Sequence, residues 1–154
     1  MRVLRALTTF AAIAAIGSCS DNNNATGIPA GLEVYTATLN GANERPTPVT
    51  TTAAGKAIVT VLGSQVTWKV DITAPIDSII LGHIHRFAPD SQAGNVVVNF
   101  NPPATGAGFT GTATVGSAVA PDSVLALMRA GRGYVNIHTK KNPGGEIRGN
   151  LIKQ

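Results

Sequence analysis

The sequence predicts a small all-β domain, a β-sandwich or flattened barrel with one short helix. Apolar and polar residues alternate with a period of two along several short runs, and turn-forming residues separate these runs. Only 5% of the residues are aromatic and 13% are charged, which suits short strands better than long charged helices. A chain of 154 residues has room for one such domain around one core.

The first element is an export signal. Residues 1–5 are short and basic, and residues 6–16 are apolar but fewer than the roughly 20 needed to span a bilayer. Ile16-Gly17-Ser18-Cys19 resembles a bacterial lipobox, in which the cysteine is diacylated and becomes the mature N-terminus. We therefore expect a lipoprotein signal peptide over 1–18 and lipidation of Cys19. The alternative is an ordinary signal peptide cleaved near Ser18 beside an incidental cysteine.

A tether follows the signal. Residues 19–31 are small, polar and rich in turn formers, so they cannot bury an apolar face. We expect a flexible linker over 19–31 and the folded domain over 32–154. The protein is thus expected to be exported and held at the bacterial cell envelope, in the periplasm or at the cell surface, by the lipid on Cys19. Because Cys19 is the only cysteine, no intrachain disulfide is possible.

The strand candidates follow in chain order. In residues 33–40 one face carries Tyr35, Ala37 and Leu39, and residues 65–73 alternate cleanly between apolar and polar. Residues 57–62 are apolar on both faces, which predicts a strand covered on both sides, and a two-residue turn at 63–64 joins it to 65–73. The remaining candidates are 78–87, 95–100, 109–115, 134–139 and 146–152.

One segment breaks this period. Residues 121–131 begin with Pro121, end with Gly131 and place Val124, Leu127 and Met128 on one side. This pattern predicts a single short helix.

The charge balance argues against nucleic acid as a partner. The chain has 12 Lys+Arg against 8 Asp+Glu, and removing Arg2 and Arg5 with the signal leaves 10 against 8, a net charge of +2. No basic stripe is interleaved with stacking aromatic residues. We therefore expect no nucleic-acid binding, and the sequence names no protein partner.

Metal chemistry is indicated by the histidines. All three lie in two strand candidates, His83 and His85 in one and His138 in the other. Residues two apart on a strand point to the same face, so His83 and His85 can reach one ion, and His138 on a neighbouring strand would complete the site. Three neutral imidazoles suit copper, with zinc as the alternative, and do not suit Ca²⁺ or Mg²⁺. In the alternative interpretation, these are hydrogen-bonded strand histidines without metal.

Three other charged residues, Glu44, Glu146 and Arg148, are expected to stabilise the fold or the metal site. Glu146 and Arg148 share a face of the last strand, where they either form an ion pair or place Arg148 over the metal as an anion guide. Glu44 is expected to accept backbone N–H bonds or to pair with an arginine. No nucleophile beside a base, phosphate loop or paired carboxylates is found, so the sequence predicts no catalytic residues and favours a protein that is not an enzyme.

Several of these motifs together resemble the CHRD domain, named for chordin and widespread in bacterial exported proteins. The resemblance covers about residues 32–154. It implies an immunoglobulin-like β-sandwich and says little about activity. The growth-factor role of chordin-type proteins does not carry over to a free bacterial domain. The matching motifs are Leu39-Asn-Gly-Ala-Asn-Glu-Arg-Pro46, Ala54-Gly55, His83-Ile-His85, Gly133-Tyr-Val-Asn-Ile-His-Thr139 and Asn142-Pro-Gly-Gly-Glu-Ile-Arg-Gly149.

A fainter resemblance is to the Greek-key β-sandwich of copper/zinc superoxide dismutase. His83-Ile84-His85-Arg86-Phe87 is similar to its His-x-His strand, His138 to a further copper ligand and Arg148 to its anion-guiding arginine. The bridging histidine, the remaining zinc ligands and the disulfide have no counterpart. A two-metal site is therefore excluded, and a single copper site remains.

Three functional hypotheses follow. The first is an envelope-anchored metal-binding domain, favoured for copper, that buffers, carries or senses the ion. The second is a copper oxidoreductase similar to superoxide dismutase. The third is a metal-free structural or adhesive domain in which the histidines only hold strands together.

Overall fold

In the computed structural model of the chain, residues 28–87 and 93–154 are described. Nine strands, a single α-helix and one 3-10 turn (Gly41–Asn43) lie within these two ranges. The strands are β1 (Glu33–Asn40), β2 (Ala54–Leu62), β3 (Gln65–Ile76), β4 (Ile79–Arg86), β5 (Val96–Asn99), β6 (Phe109–Val119), β7 (Gly133–Thr139), β8 (Ile147–Asn150) and β9 (Ile152–Lys153), and the helix α1 is Asp122–Arg129. The predicted all-β fold with one short α-helix is confirmed.

The strands form one antiparallel sheet in the order β5-β4-β7-β8-β1-β2-β3-β6, with β9 paired to β1. The sheet folds on itself until its ends approach each other. Trp68 of β3 stacks on Phe100, just after β5, at a ring-centroid distance of 4.9 Å, and the Thr114 hydroxyl of β6 donates to the Phe100 carbonyl at 3.3 Å. The fold is therefore a nearly closed, sandwich-like barrel around one apolar core.

The period-two pattern determines what this core contains. Tyr35, Ala37 and Leu39 of β1 are buried as predicted, as are Val66, Trp68, Val70 and Ile72 of β3. The prediction that β2 is covered on both sides was wrong, because Ile58 and Leu62 are 49% and 43% exposed. That face of the sheet meets no second layer among the described residues.

Two element boundaries also differ from expectation. The helix buries Val124, Leu125 and Met128, so Leu125 takes the core position predicted for Leu127. The last predicted strand is interrupted at Leu151, a core residue that separates β8 from β9.

The N-terminal predictions lie almost wholly outside the described residues. The signal peptide over 1–18, Cys19 and most of the linker over 19–31 fall there, and the assignment of 32–154 as the domain stays a prediction. Among residues 28–87 and 93–154, no helix is long and apolar enough to cross a membrane.

The chain crossover after β6 positions the site. The helix α1 connects β6 to β7, and β7 then inserts between β4 and β8. As a result, β4 pairs with β7 across a long sequence separation, with His83 opposite Asn136 and His85 opposite Tyr134. The two histidine-bearing strands are thus adjacent, as the sequence interpretation required.

Candidate metal centre

The outward face of β4 and β7 carries a polar cluster instead of a bare solvent surface. Ile84, Val135 and Ile137 point into the core, so the alternate residues face outward. These outward residues are nevertheless buried, because the segments around Gly94 and Pro143 contact them. The outward-facing polar side chains on the two strands are His83, His85, Tyr134, Asn136 and His138.

The three histidines converge at one point of this face. One ligand nitrogen from each of His83, His85 and His138 lies within 4.8 Å of the others. The closest pair is Nδ1 of His83 and Nε2 of His138, at 3.1 Å. Their exposed fractions are only 7–9%, so the cluster lies just beneath the surface.

Backbone carbonyls fix the tautomers of two of the rings. Nδ1 of His85 lies 2.9 Å from the Gly94 carbonyl oxygen, and Nδ1 of His138 lies 2.9 Å from that of Pro143. Because a carbonyl oxygen only accepts, both Nδ1 atoms carry the proton and both Nε2 atoms are unprotonated. In the neutral cluster the Nδ1–H of His83 then donates to Nε2 of His138.

Nε2 of His85 has no hydrogen-bond partner among the described residues although it is buried. A buried imidazole nitrogen without a partner is costly in free energy, which makes it an unexplained feature of the cluster.

Two glycines allow the carbonyl acceptors to come this close. A Cβ at Gly94 would clash with the backbone carbonyl of Arg86, and Gly145 has a φ of +132°, which other residues rarely adopt. A Cβ at Gly145 would also approach Asn136 and Glu44 within 2.8 Å. Both positions therefore require glycine.

Burial keeps the imidazoles neutral. It lowers the pKa of His83 to about 4, with a further contribution from the neighbouring His138 and His85. Burial also lowers the pKa of His85 and of His138, although the hydrogen bonds to Gly94 and Pro143 oppose this shift. All three rings are therefore neutral near pH 7, the protonation state that a metal requires.

The donor set fits a borderline transition metal. Metal–imidazole bonds are about 2.0–2.1 Å long, so two nitrogens on one ion lie at most about 4.2 Å apart. The cluster needs to contract by no more than about 0.6 Å to meet this limit. With three histidines and one cysteine in the whole sequence, a second histidine-rich site does not exist.

Tyr134 and Arg148 form one side of the cluster. The Tyr134 ring stacks on His85 with a centroid distance of 4.9 Å and an interplanar angle of 6°. The guanidinium carbon of Arg148 lies over the same ring, 3.5 Å from the centroid of Tyr134. Arg148 is therefore a neighbour of Tyr134 and does not form an ion pair with Glu146, one of the two arrangements predicted for it.

Glu146 holds the segment that carries Pro143. It is 3% exposed and accepts hydrogen bonds from the Thr51 hydroxyl at 2.8 Å, the Thr139 hydroxyl at 2.6 Å and the Asn142 amide at 3.2 Å. These contacts join the chain before β2, the end of β7 and the turn after it. Glu146 thus positions the carbonyl that orients His138.

Glu44 and Asn136 are a second buried polar pair. The Asn136 amide donates to Oε2 of Glu44 at 3.4 Å, and the backbone N–H of Arg45 also bonds this carboxyl, as predicted for Glu44. Oε1 of Glu44 and Oδ1 of Asn136 have no partner within the described parts of the chain. Burial raises the pKa of Glu44 to about 7 against the attraction of Arg148.

The structure brings together the three histidines that the sequence selected, and places Arg148 and Glu146 around them in separate roles. Sequence reasoning missed Tyr134, Asn136 and the carbonyls of Gly94 and Pro143. Tyr134 and Asn136 were detectable, because they lie four and two residues before His138 and so share its face. The carbonyl acceptors have no sequence signal.

Comparison with known proteins gives one match. A family model described as the CHRD domain matches residues 35–151. No curated protein and no solved structure matches the chain.

Proposed function

We propose that this chain, which belongs to the CHRD domain family, is an envelope-anchored metal-binding domain that holds one copper ion at its three-histidine centre. His83, His85 and His138 would supply the ligands. Bound copper would be a redox-active Lewis acid. The domain would buffer, carry or sense this ion.

The observation that carries the proposal is the free Nε2 of His85. This nitrogen is buried and unpartnered among the described residues, while its Nδ1–H is held by the Gly94 carbonyl. Nδ1–H of His138 is likewise held by the Pro143 carbonyl, while its Nε2 contacts Nδ1 of His83. Metal-binding histidines commonly donate their second N–H to a carbonyl or carboxylate in this way, because it fixes the tautomer and ring orientation.

Copper is preferred over zinc on general grounds. Affinities of a given nitrogen site rise to a maximum at Cu²⁺ and fall again at Zn²⁺. The centre has imidazole nitrogens only, with no thiolate or carboxylate ligand within the described cluster. Zinc is the alternative occupant.

The envelope location rests on residues 16–19. The lipobox-like Ile16-Gly17-Ser18-Cys19 follows a short apolar stretch, and Cys19 is the only cysteine. Labelling cells with a radioactive fatty acid tests this part directly. We expect label in the wild-type chain and none in Cys19→Ala; label retained in the variant, or absent from the wild type, would overturn the anchor.

The metal site is tested by elemental analysis after loading the full chain with Cu(II) or Zn(II) and desalting. We expect one copper per chain and its loss in His83→Ala, His85→Ala and His138→Ala alike, because each variant removes one of three ligands. Thr114→Val is the matched control, since Thr114 is a buried polar residue of β6 outside the cluster.

Each result of the elemental analysis distinguishes between the functional hypotheses. Copper retained at full affinity in the His138→Ala variant would exclude the three-histidine centre. Absence of metal from the wild-type chain would leave the metal-free structural or adhesive domain. Preferential zinc retention in competition would replace copper as the occupant and keep the site.

A copper oxidoreductase is a second candidate because three protein ligands leave a coordination position open. The histidines are 7–9% exposed, so an ion held by them would lie just beneath the surface. A superoxide assay on copper-loaded protein, with His85→Ala as its control, separates turnover from storage.

A further inference from the structure

A cavity of about 280 Å³ opens beside Arg148, on the outer surface of the sheet. It lies between β1, the segment after the 3-10 turn, and β8 with β9. The residues that line it are Thr38, Asn43, Arg45, Arg148, Asn150 and Ile152. None of these is a histidine of the metal centre, and two of them are arginines.

Arg148 is the unusual member of this lining. The residue is only 2% exposed, yet among the described residues no carboxylate lies within 4.0 Å of its guanidinium. Its guanidinium carbon lies 3.5 Å from the centroid of the Tyr134 ring. Removing an ion from water is costly in free energy unless a partner compensates, and a cation–π contact offsets only part of that cost.

Arg45 places a second guanidinium at the same cavity. Its Nη1 donates to the carbonyls of Ala42 and Glu44, at 3.0 and 2.7 Å, which fixes the group beside the opening. The positive charge of Arg45 adds to burial in lowering the pKa of Arg148, so the two cations repel each other. Glu44 attracts both cations, but its own pKa of about 7 leaves it only partly ionised near neutral pH.

We propose that this cavity is a binding site for a small oxyanion, held between the guanidinium groups of Arg148 and Arg45. The anion would supply the negative charge that the buried Arg148 lacks. Guanidinium groups bind carboxylates and phosphates through paired N–H donors, which matches a ligand of this chemistry.

The size of the cavity limits the ligand. Pockets for drug-sized ligands are about 300–1,000 Å³, so this one suits a phosphate, a sulfate or a short carboxylate. Most of the lining is polar, and Ile152 supplies one apolar wall. The Tyr134 ring separates the site from His85, so the proposal does not depend on a bound metal.

The test is a titration of the metal-free full chain with inorganic phosphate, sulfate and acetate, followed by calorimetry. We expect saturable binding of at least one of these anions that weakens with added NaCl, because the contacts are between charges. Arg148→Gln should lower the affinity about tenfold or more, since it removes a charge-assisted donor pair. Tighter binding of phosphate and sulfate than of acetate would indicate a tetrahedral ligand, and the reverse a carboxylate.

Further variants keep the result interpretable. Arg45→Gln changes an exposed side chain, so it tests the same site if Arg148→Gln fails to fold. Arg132→Gln removes an equal charge at another cavity and should bind like the wild type. Equal affinity in the wild type, Arg148→Gln and Arg45→Gln, or no binding of any of the three anions, would overturn the proposal.

Discussion

Nδ1 of His83 lies 3.1 Å from Nε2 of His138, and a single proton bridges the two nitrogens in the neutral cluster. This contact spans β4 and β7, which are adjacent only because β7 returns between β4 and β8. If both nitrogens were metal ligands, Nδ1 of His83 would have to give up this proton, which the neutral ring can carry on Nε2 instead. The hydrogen bond of the metal-free form and the proposed coordination are therefore alternative uses of the same two nitrogens.

Copper is expected to stabilise the fold, because the metal binds only when the two strands are paired. At a free concentration 1,000 times the dissociation constant, a single site contributes about 4 kcal/mol to the free energy of unfolding. Thermal unfolding of the full chain with and without Cu(II) measures this. The stabilisation should vanish in His85→Ala, and an equal shift in that variant would show that copper binds elsewhere.

Most of the fold was accessible from the sequence because one side of most strands is buried. The alternation of apolar and polar residues in β1 and β3 identified the faces of these strands that point into the core. A shift by one residue would turn all of their apolar side chains to the other face of the sheet. Residues 57–62 could not be read this way, because Ile58 and Leu62 are apolar but exposed. Exposed apolar residues are common on protein surfaces, so hydrophobicity alone does not prove burial.

The site was only partly accessible. The ligand candidates follow from residue type and spacing, but the pairing of His83 with Asn136 and of His85 with Tyr134 depends on the strand order. Glu146 and Arg148 were predicted to share a face, yet hydroxyl groups satisfy the first and an aromatic ring covers the second. Which partner a buried charge acquires is set by segments far away in sequence, such as the one containing Thr51.

Metal-free protein should lose stability as the pH falls below neutral. In the folded state burial lowers the pKa of His83 from 6.5 to about 4, and it lowers the pKa of His85 and His138 as well. The unfolded chain therefore binds more protons than the folded chain in this range. The contribution of His83 to the free energy of unfolding is thus complete above about pH 6.5 and declines as the pH falls toward 4. Urea unfolding of chelator-treated protein across this range measures the slope. His83→Gln should flatten it, and an unchanged slope in that variant would contradict the assignment.

Glu44 should act in the opposite direction. Its pKa is raised from 4.5 to about 7 by burial, so its contribution to stability is present below pH 4.5 and is lost as the pH rises through about 7. Glu44→Gln keeps the shape without the charge, and its stability relative to the wild type should improve by up to about 3 kcal/mol between pH 4.5 and pH 8. Paired urea titrations at the two pH values test this; Asp77→Asn, at a half-buried carboxylate outside the cluster, is the control. A difference that does not vary with pH would show that Glu44 is not ionised across this range.

Glu146 should influence metal binding without contacting the ion. Glu146→Ala removes the acceptor of three hydrogen bonds and should destabilise the domain by several kcal/mol. Glu146→Gln keeps the size and one acceptor oxygen, so it should fold but loosen the turn that presents Pro143 to His138. Copper affinity of this variant should fall about 10-fold, as for other changes beside metal ligands. If Glu146→Gln binds copper like the wild type, the orientation of His138 does not depend on this turn.

Tyr134 provides the final test, because its ring and its hydroxyl make different contacts. The ring stacks on His85 at 4.9 Å and supports Arg148, whereas the hydroxyl accepts a bond from the Gly94 N–H at 3.3 Å. Tyr134→Phe should therefore keep copper affinity within about threefold, since it removes one long hydrogen bond of about 0.5–1 kcal/mol. Tyr134→Leu removes the flat surface that orients His85 and should lower the affinity about tenfold or more. Copper titrations of both variants compare the two effects. A larger loss in the phenylalanine variant would mean that the hydroxyl, through Gly94, and not the ring, holds His85 in its binding orientation.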